Sequence, residues 1–180
     1  MTDMISAETV TRVWQDMARA SVDTAPLLVN QMKEEQPVIL VYLLAVDDSI
    51  FNEHERELIF YLGMVVWQMM KQSKRRLRKV THKKLMQAEE ANYDFLERLS
   101  ASPEADFESA TRTMLATYPE PEVFRYIFEA VMEEEDYDPD DPPIREEYRG
   151  LAVMYLKTVL DGFISSLARA PRSRRRSQRR

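Results

Sequence analysis

Residues 52–70 have the sequence NEHERELIFYLGMVVWQMM, and this stretch decides the fold. Asn52 followed by Glu55 is a capping-box pattern, in which each side chain bonds the backbone N–H of the other residue at a helix start. The apolar residues that follow recur at spacings of three and four: Leu58, Ile59, Leu62, Val65, Val66 and Met69. A capped run with one apolar stripe predicts an α-helix that packs against other helices.

The regions on either side of this stretch have the same character, so the predicted fold class is all-α. Apolar spacings, prolines and N-cap residues such as Ser6 set the limits of about seven helices, arranged as a bundle or a short HEAT-like array. The predicted helices cover residues 7–21, 25–36, 38–46, 53–70, 81–99, 123–132 and 142–168, and one more opens at residue 102. Whether residues 53–99 form one helix or two stays open, because Thr81 can cap a new helix.

The predicted helix at 38–46 is apolar on every side. A helix without a polar face is typical of the centre of a helical protein. We therefore expect it to be enclosed, with Leu40, Leu43 and Leu44 among the least accessible residues. The run is about half of the roughly 20 residues that cross a bilayer, so no transmembrane segment is expected.

The chain has three glycines and no cysteine. Gly63, Gly150 and Gly162 all lie inside predicted helices, where we expect them to mark close approaches between helices. The predicted loops contain no glycine, which argues against a phosphate-binding P-loop and a Rossmann turn. Without cysteine, disulfides and thiolate metal sites are excluded.

Residues 1–168 are predicted to form one helical domain, followed by a tail at 169–180. A weak internal similarity pairs an apolar helix started by Pro37 with one started by Pro121, each followed by an acidic stretch and a helix with a glycine inside it. One hypothesis is a duplication, with halves at about 24–99 and 104–168. The alternative is chance similarity between helices.

Charge divides the chain into an acidic body and a basic tail. The last twelve residues hold seven arginines and no acid; without them, 18 basic residues face 31 acidic ones, so residues 1–168 carry a net charge of about −13. The tail has no residue that could anchor it in a core, and we expect Pro171 to Arg180 to be disordered. Its expected property is weak attraction to phosphates or acidic surfaces.

A second basic stretch occupies residues 71–84, with eight basic side chains. On a continuing helix, Lys71, Lys74, Arg75 and Arg78 share one side. One hypothesis is a surface for phosphates or an acidic partner, and the other is ordinary solvated surface. The predicted patch, including the tail, consists of Lys71, Lys74, Arg75, Arg78, Lys79, Lys83, Lys84, Arg172, Arg174, Arg175, Arg176, Arg179 and Arg180.

An acidic stretch at 133–141 lies between two predicted helices. An EF-hand-like calcium frame would use four carboxylates around it, Asp136, Asp138, Asp140 and Glu147. Asp141 stands where that frame needs glycine, and prolines stiffen the loop. The simpler interpretation is that Asp141 caps the last helix, with Pro142 and Pro143 in its first turn, and we expect no metal site.

The two histidines, His54 and His82, lie in no catalytic or metal-ligand pattern, and no nucleophile elbow is present. The leading hypothesis is therefore a non-enzymatic helical interaction or regulatory protein with a protein partner and no cofactor. One alternative is a nucleic-acid-associated factor that uses residues 71–84 and the tail; another is a carboxylate-based metal-binding protein. An early acid and no apolar leader near Met1 make cytoplasmic location the expectation.

Overall fold

A computed structural model describes residues 4–101, 113–132 and 143–168, and within these ranges the protein is all-helical, as predicted. The helices are α1 (Ala7–Ala18), α2 (Thr24–Glu35), α3 (Pro37–Leu44), α4 (Glu53–Met70), α5 (His82–Ser100), α6 (residues 113–117), α7 (Pro121–Met132) and α8 (Glu146–Ser166).

The start of α4 confirms the predicted capping box. Asn52 Oδ1 accepts a hydrogen bond from the Glu55 N–H at 2.9 Å, and Glu55 Oε2 accepts one from the Asn52 N–H at 2.8 Å. Thr81 caps α5 in a similar way, since its hydroxyl oxygen accepts from the Lys84 N–H at 3.3 Å. Residues 53–99 therefore form two helices with a non-helical segment between them.

The centre of the fold is the pair α4 and α8. α8 contacts α4, α5 and α7, and α4 also contacts α1 and α3. Trp67 of α4 and Phe163 of α8 are completely buried, as are most of the apolar residues around them. Burial of such large side chains is the main stabilising contribution to a helical domain of this size.

The prediction that residues 38–46 form a central, enclosed helix is wrong. α3 ends at Leu44, and only one side of it is buried, through Ile39, Leu40 and Leu43. The expected burial of Leu40 and Leu43 is therefore confirmed. Val41 and Leu44 are each 65% exposed. Composition alone misled the prediction, because a helix apolar all round can also lie at the surface with one apolar side uncovered.

The glycines differ in their surroundings. A Cβ atom added at Gly63 would lie 2.6 Å from the side chain of Leu43, so this glycine allows α3 and α4 to approach closely, as predicted. At Gly162 a Cβ would make ordinary contact with Val80, at 3.4 Å. At Gly150 no described atom lies within 4 Å, so the predicted close approach is wrong there. The duplication that pairs Gly63 with Gly150 stays a prediction.

α8 begins at Glu146, four residues later than predicted, and Asp141 is therefore not its cap. Arg145 is the N-cap residue, and its guanidinium binds the fully buried Glu55 of α4 with Nε to Oε1 at 2.9 Å and Nη2 to Oε2 at 2.8 Å. The Arg145 N–H also donates to Glu55 Oε1 at 2.9 Å. This pair fixes where α8 starts. Glu146 and Glu147 lie in the first turn, as expected from the helix dipole.

Smaller differences concern helix ends. α1 ends at Ala18 rather than at residue 21. The helical spacing of Val10, Val13, Trp14 and Met17 places all four on one side, but Trp14 is 39% exposed. α7 begins at Pro121, two residues earlier than predicted, since proline suits the first position of a helix.

Three predictions fall on residues outside the described ranges: the helix opening at residue 102, the acidic stretch at 133–141 and the tail at 169–180. Within the described ranges, no helix is long and apolar enough to cross a membrane.

Candidate polyanion-binding surface

The basic stretch does not continue α4 as a helix, so the prediction that Lys71, Lys74, Arg75 and Arg78 share one helical side is wrong. Residues 71–75 form turns and bends, and residues 76–80 are extended. A helix here would place like charges four residues apart, such as Lys71 with Arg75, and each such pair destabilises a helix. The extended form avoids those pairs.

The extended residues find backbone partners at the end of α8. Leu77 and Leu167 form an antiparallel bridge. The Arg78 N–H donates to Ser166 O at 3.1 Å, and the Ala168 N–H donates to Arg76 O at 2.9 Å. Ala168, the last residue before the arginine tail, therefore lies beside Arg76 of the basic stretch.

On its other side the stretch is held by Gln36, which is only 2% exposed. The Gln36 amide donates to Arg78 O at 3.1 Å, and its carbonyl oxygen accepts from the Val80 N–H at 2.9 Å. The backbone of residues 76–80 is thus held from both sides. Side chains on such a backbone start from fixed positions, which lowers the entropic cost of ligand binding.

Three of the predicted patch residues serve the fold itself. Arg75 Nε donates to Ala168 O at 2.8 Å, and Lys84 Nζ donates to Ser165 O at 2.6 Å. Both cations lie at the carbonyl end of α8, where positive charge is stabilising. Lys71 pairs with Glu35 at 3.4 Å and lies over the Trp67 ring.

Four other cations form an exposed row, which we call the basic row: Lys74, Arg76, Arg78 and Lys79. Arg76 and Arg78 are exposed and Leu77 between them is half-buried, which is the two-residue alternation of an extended chain. Within the described residues, the row's side chains make no hydrogen bond or ion pair. Lys83 is also exposed, on the first turn of α5. Arg76 was not among the predicted patch residues, and the alternation around Leu77 is the signal that would have found it.

A shallow basin of about 540 Å³ separates the stretch from the end of α2. Its α2 side carries Glu34 and Glu35, so the basin has both signs of charge. Its other side carries Arg76, Arg78 and Lys79 of the basic row, so the row forms one wall of the basin and attracts an anionic ligand to that wall.

A buried polar network, missed by the sequence analysis, joins α5 to α8. Lys157 Nζ donates to Asn92 Oδ1 and to Asp161 Oδ2, each at 2.7 Å. The Asn92 amide donates to Thr158 Oγ1 and to Asp161 Oδ2, each at 3.0 Å, and the Tyr118 hydroxyl donates to Asp161 Oδ1. Burial, and then the charge of Asp161, raise the pKa of Tyr118. Because Lys157 and Asp161 neutralise each other, the network's evident role is to fix the packing of the two helices.

The histidines lie apart from both features. His54 is exposed on the first turn of α4, and His82 is exposed at the start of α5. In the part of the chain that the structure describes, no three His, Asp or Glu side chains lie close enough together to hold a metal ion. The calcium frame around 136–147 falls mostly outside that part and stays untested.

Comparisons with known proteins do not place the chain in a family. No family model, no curated protein and no solved structure is significantly similar to the chain. The interpretation of the basic row therefore rests on its own geometry and charge.

Proposed function

We propose that this protein acts by binding, and that its basic row and its arginine tail together bind the phosphate backbone of nucleic acid. One observation carries the proposal: the backbone pairing of residues 76–78 with 166–168. That pairing brings the four cations of the row to the point where the seven arginines of the tail begin.

The chemistry of the row favours phosphates over a membrane. Peripheral binding to a bilayer uses apolar side chains that enter the interface. Here Val80 is buried and Leu77 is half-buried against the end of α8, so the outward side of the stretch offers only charge and polar atoms. The row consists of four cations and no aromatic side chain on which a base could stack, which supports contact with the phosphate backbone of nucleic acid.

The acidic body limits how the nucleic acid can approach. Residues 1–168 carry a net charge of about −13, which repels phosphates from most of the surface. We therefore propose a contact confined to the row and tail, rather than a nucleic acid that wraps around the protein. This refines the nucleic-acid hypothesis and agrees with the broader view of the protein as an interaction module.

The test is fluorescence anisotropy with labelled single-stranded oligonucleotides at several salt concentrations, using the full chain. The logarithm of affinity should fall linearly with the logarithm of salt concentration. The double variant Arg76→Gln/Arg78→Gln should reduce the magnitude of the slope by about 1.4, since each cation contributes roughly 0.7 on a single strand.

The control is Arg19→Gln/Arg125→Gln, which removes the same charge from two exposed positions, one directly after α1 and one on α7. It should leave the slope unchanged. An equal reduction of the salt slope in both double variants would mean that binding follows the net charge of the protein and not the position of the cations. If the protein binds phosphatidylserine vesicles more tightly than oligonucleotides, with the same dependence on Arg76 and Arg78, the ligand is an anionic membrane and not nucleic acid.

A further inference from the structure

An uncovered apolar groove, here called the α3–α5 groove, runs between α3 and the first half of α5. It encloses about 380 Å³ and is lined mainly by Val38, Val41, Tyr42, Ala45, Leu85 and Met86. Val41 is 65% and Met86 45% exposed, unusual values for large apolar side chains that share one groove. Contiguous apolar surface of this kind marks binding sites on soluble proteins.

The groove continues along α5. Tyr42 also lines a small neighbouring cleft of about 20 Å³, together with Tyr93 of α5 and Tyr155 of α8. From His82 to Leu96, the α5 residues that line the two depressions span about 20 Å at 1.5 Å per residue. This length suits a partner helix of about 14 residues.

The charges along α5 change sign, because Lys83 and Lys84 lie in its first turn beside the start of the groove and acidic residues follow. α3 has no charged residue, and between residues 85 and 97 of α5 every charged side chain is acidic. Glu89 lies in the cleft itself, where it accepts a hydrogen bond from the Tyr42 hydroxyl at 3.1 Å. Glu90 is exposed one turn after Met86, and Asp94 is exposed one turn after Glu90, so both flank the apolar side of α5.

We propose that the α3–α5 groove binds a cationic amphipathic helix of another protein. Its apolar side packs on Val41 and Met86, and its basic side chains lie opposite Glu90 and Asp94. Helix-in-groove binding uses such apolar anchors, and the acidic flank selects the sign of the partner's charge. The arginine tail of this chain is not the occupant, because it has no large apolar side chain. The site is separate from the basic row and does not depend on nucleic-acid binding.

The probe is a synthetic amphipathic helix of about 14 residues made of leucine and lysine, and its counterpart has glutamate in place of lysine. Titration calorimetry should show saturable binding of the leucine–lysine peptide and none of the leucine–glutamate peptide. Val41→Arg should weaken binding about tenfold or more, since it removes an anchor and adds a like charge. Its control is Val22→Arg, because Val22 is 90% exposed and does not line the groove.

The double variant Glu90→Gln/Asp94→Asn tests the acidic flank. Its control is Glu8→Gln/Asp16→Asn on α1, and the four residues are all exposed. The first pair should weaken binding about two- to fivefold and reduce its salt dependence, while the second should not. Equal weakening by both pairs, or no effect of Val41→Arg, would show that the peptide only follows net charge. If sedimentation shows a dimer that Val41→Arg dissociates, the occupant is a second copy of this chain and the proposal is wrong.

Discussion

At the level of single residues, Glu55 joins the start of α4 to the start of α8. It is fully buried, and four hydrogen bonds from Asn52 and Arg145 reach its carboxylate. Burial alone would raise the pKa of Glu55, but the bonds from Arg145 and Asn52 outweigh it and lower the pKa to about 2. The capping-box pattern predicted the role of Glu55 at the start of α4. No sequence pattern predicted that Glu55 pairs with Arg145, which lies 90 residues away.

This pKa predicts a specific loss of stability in acid. The ordinary value for glutamate is 4.5, so the charged carboxylate stabilises the fold above that pH, and the contribution is lost as the pH falls towards 2. The amount is on the order of 3 kcal/mol. Urea unfolding between pH 6 and pH 2.5 should show a steeper decline for the natural chain than for Glu55→Gln.

Glu57→Gln, at an exposed position in the same helix, is the control and should keep the steep decline. If Glu55→Gln keeps it as well, the acid sensitivity arises elsewhere.

At the level of helices, sequence patterns predicted correctly those features that depend only on neighbouring residues. The caps at Ser6 and Asn52 and the stripe of α4 were correct because each depends on residues within a turn or two. Which side of α3 is covered, and whether residues 71–80 are helical, depends on partners far along the chain. For the candidate site, composition predicted where positive charge lies, and the pairing with α8 decided which cations are free.

Two glycine substitutions should have opposite effects. Gly63→Ala should destabilise the fold by about 1 kcal/mol, because crowding against the buried Leu43 outweighs the gain in helix propensity. Gly150→Ala should stabilise by up to about 1 kcal/mol, because that position is exposed and has room for a methyl group. Denaturant unfolding of both variants checks the signs, and a stabilised Gly63→Ala would mean that Leu43 relocates at little cost.

At the level of the whole molecule, α8 lies in the sequence between the acidic stretch and the basic tail. The tail follows its last residues, whereas the acidic stretch at 133–141 precedes Pro143 and the start of α8. With 21 residues, α8 is about 31 Å long. In sequence, the acidic stretch therefore precedes the start of α8 and the basic tail follows its end, an order that matches the sign preference of this helix's dipole.

Deleting residues 171–180 should leave the helical fold intact and remove most nucleic-acid binding. The bonds that Ala168 makes with Arg75 and Arg76 remain, so the melting temperature followed by circular dichroism should change little. A fall of many degrees would mean that the tail is docked on the body. An unchanged salt slope would leave the basic row as the sole contact.

The bridge between the basic stretch and the end of α8 also determines when, during synthesis, the basic row acquires its folded arrangement. Arg75 and its acceptor at Ala168 lie 93 residues apart. Contacts of such sequence separation form late, because most of the chain has to be ordered first. During synthesis, residues 71–80 leave the ribosome long before their backbone partners do. A ribosome-bound chain stopped short of α8 would carry the same cations on an unpaired segment, and their fixed arrangement would arise only after residues 166–168 have been made.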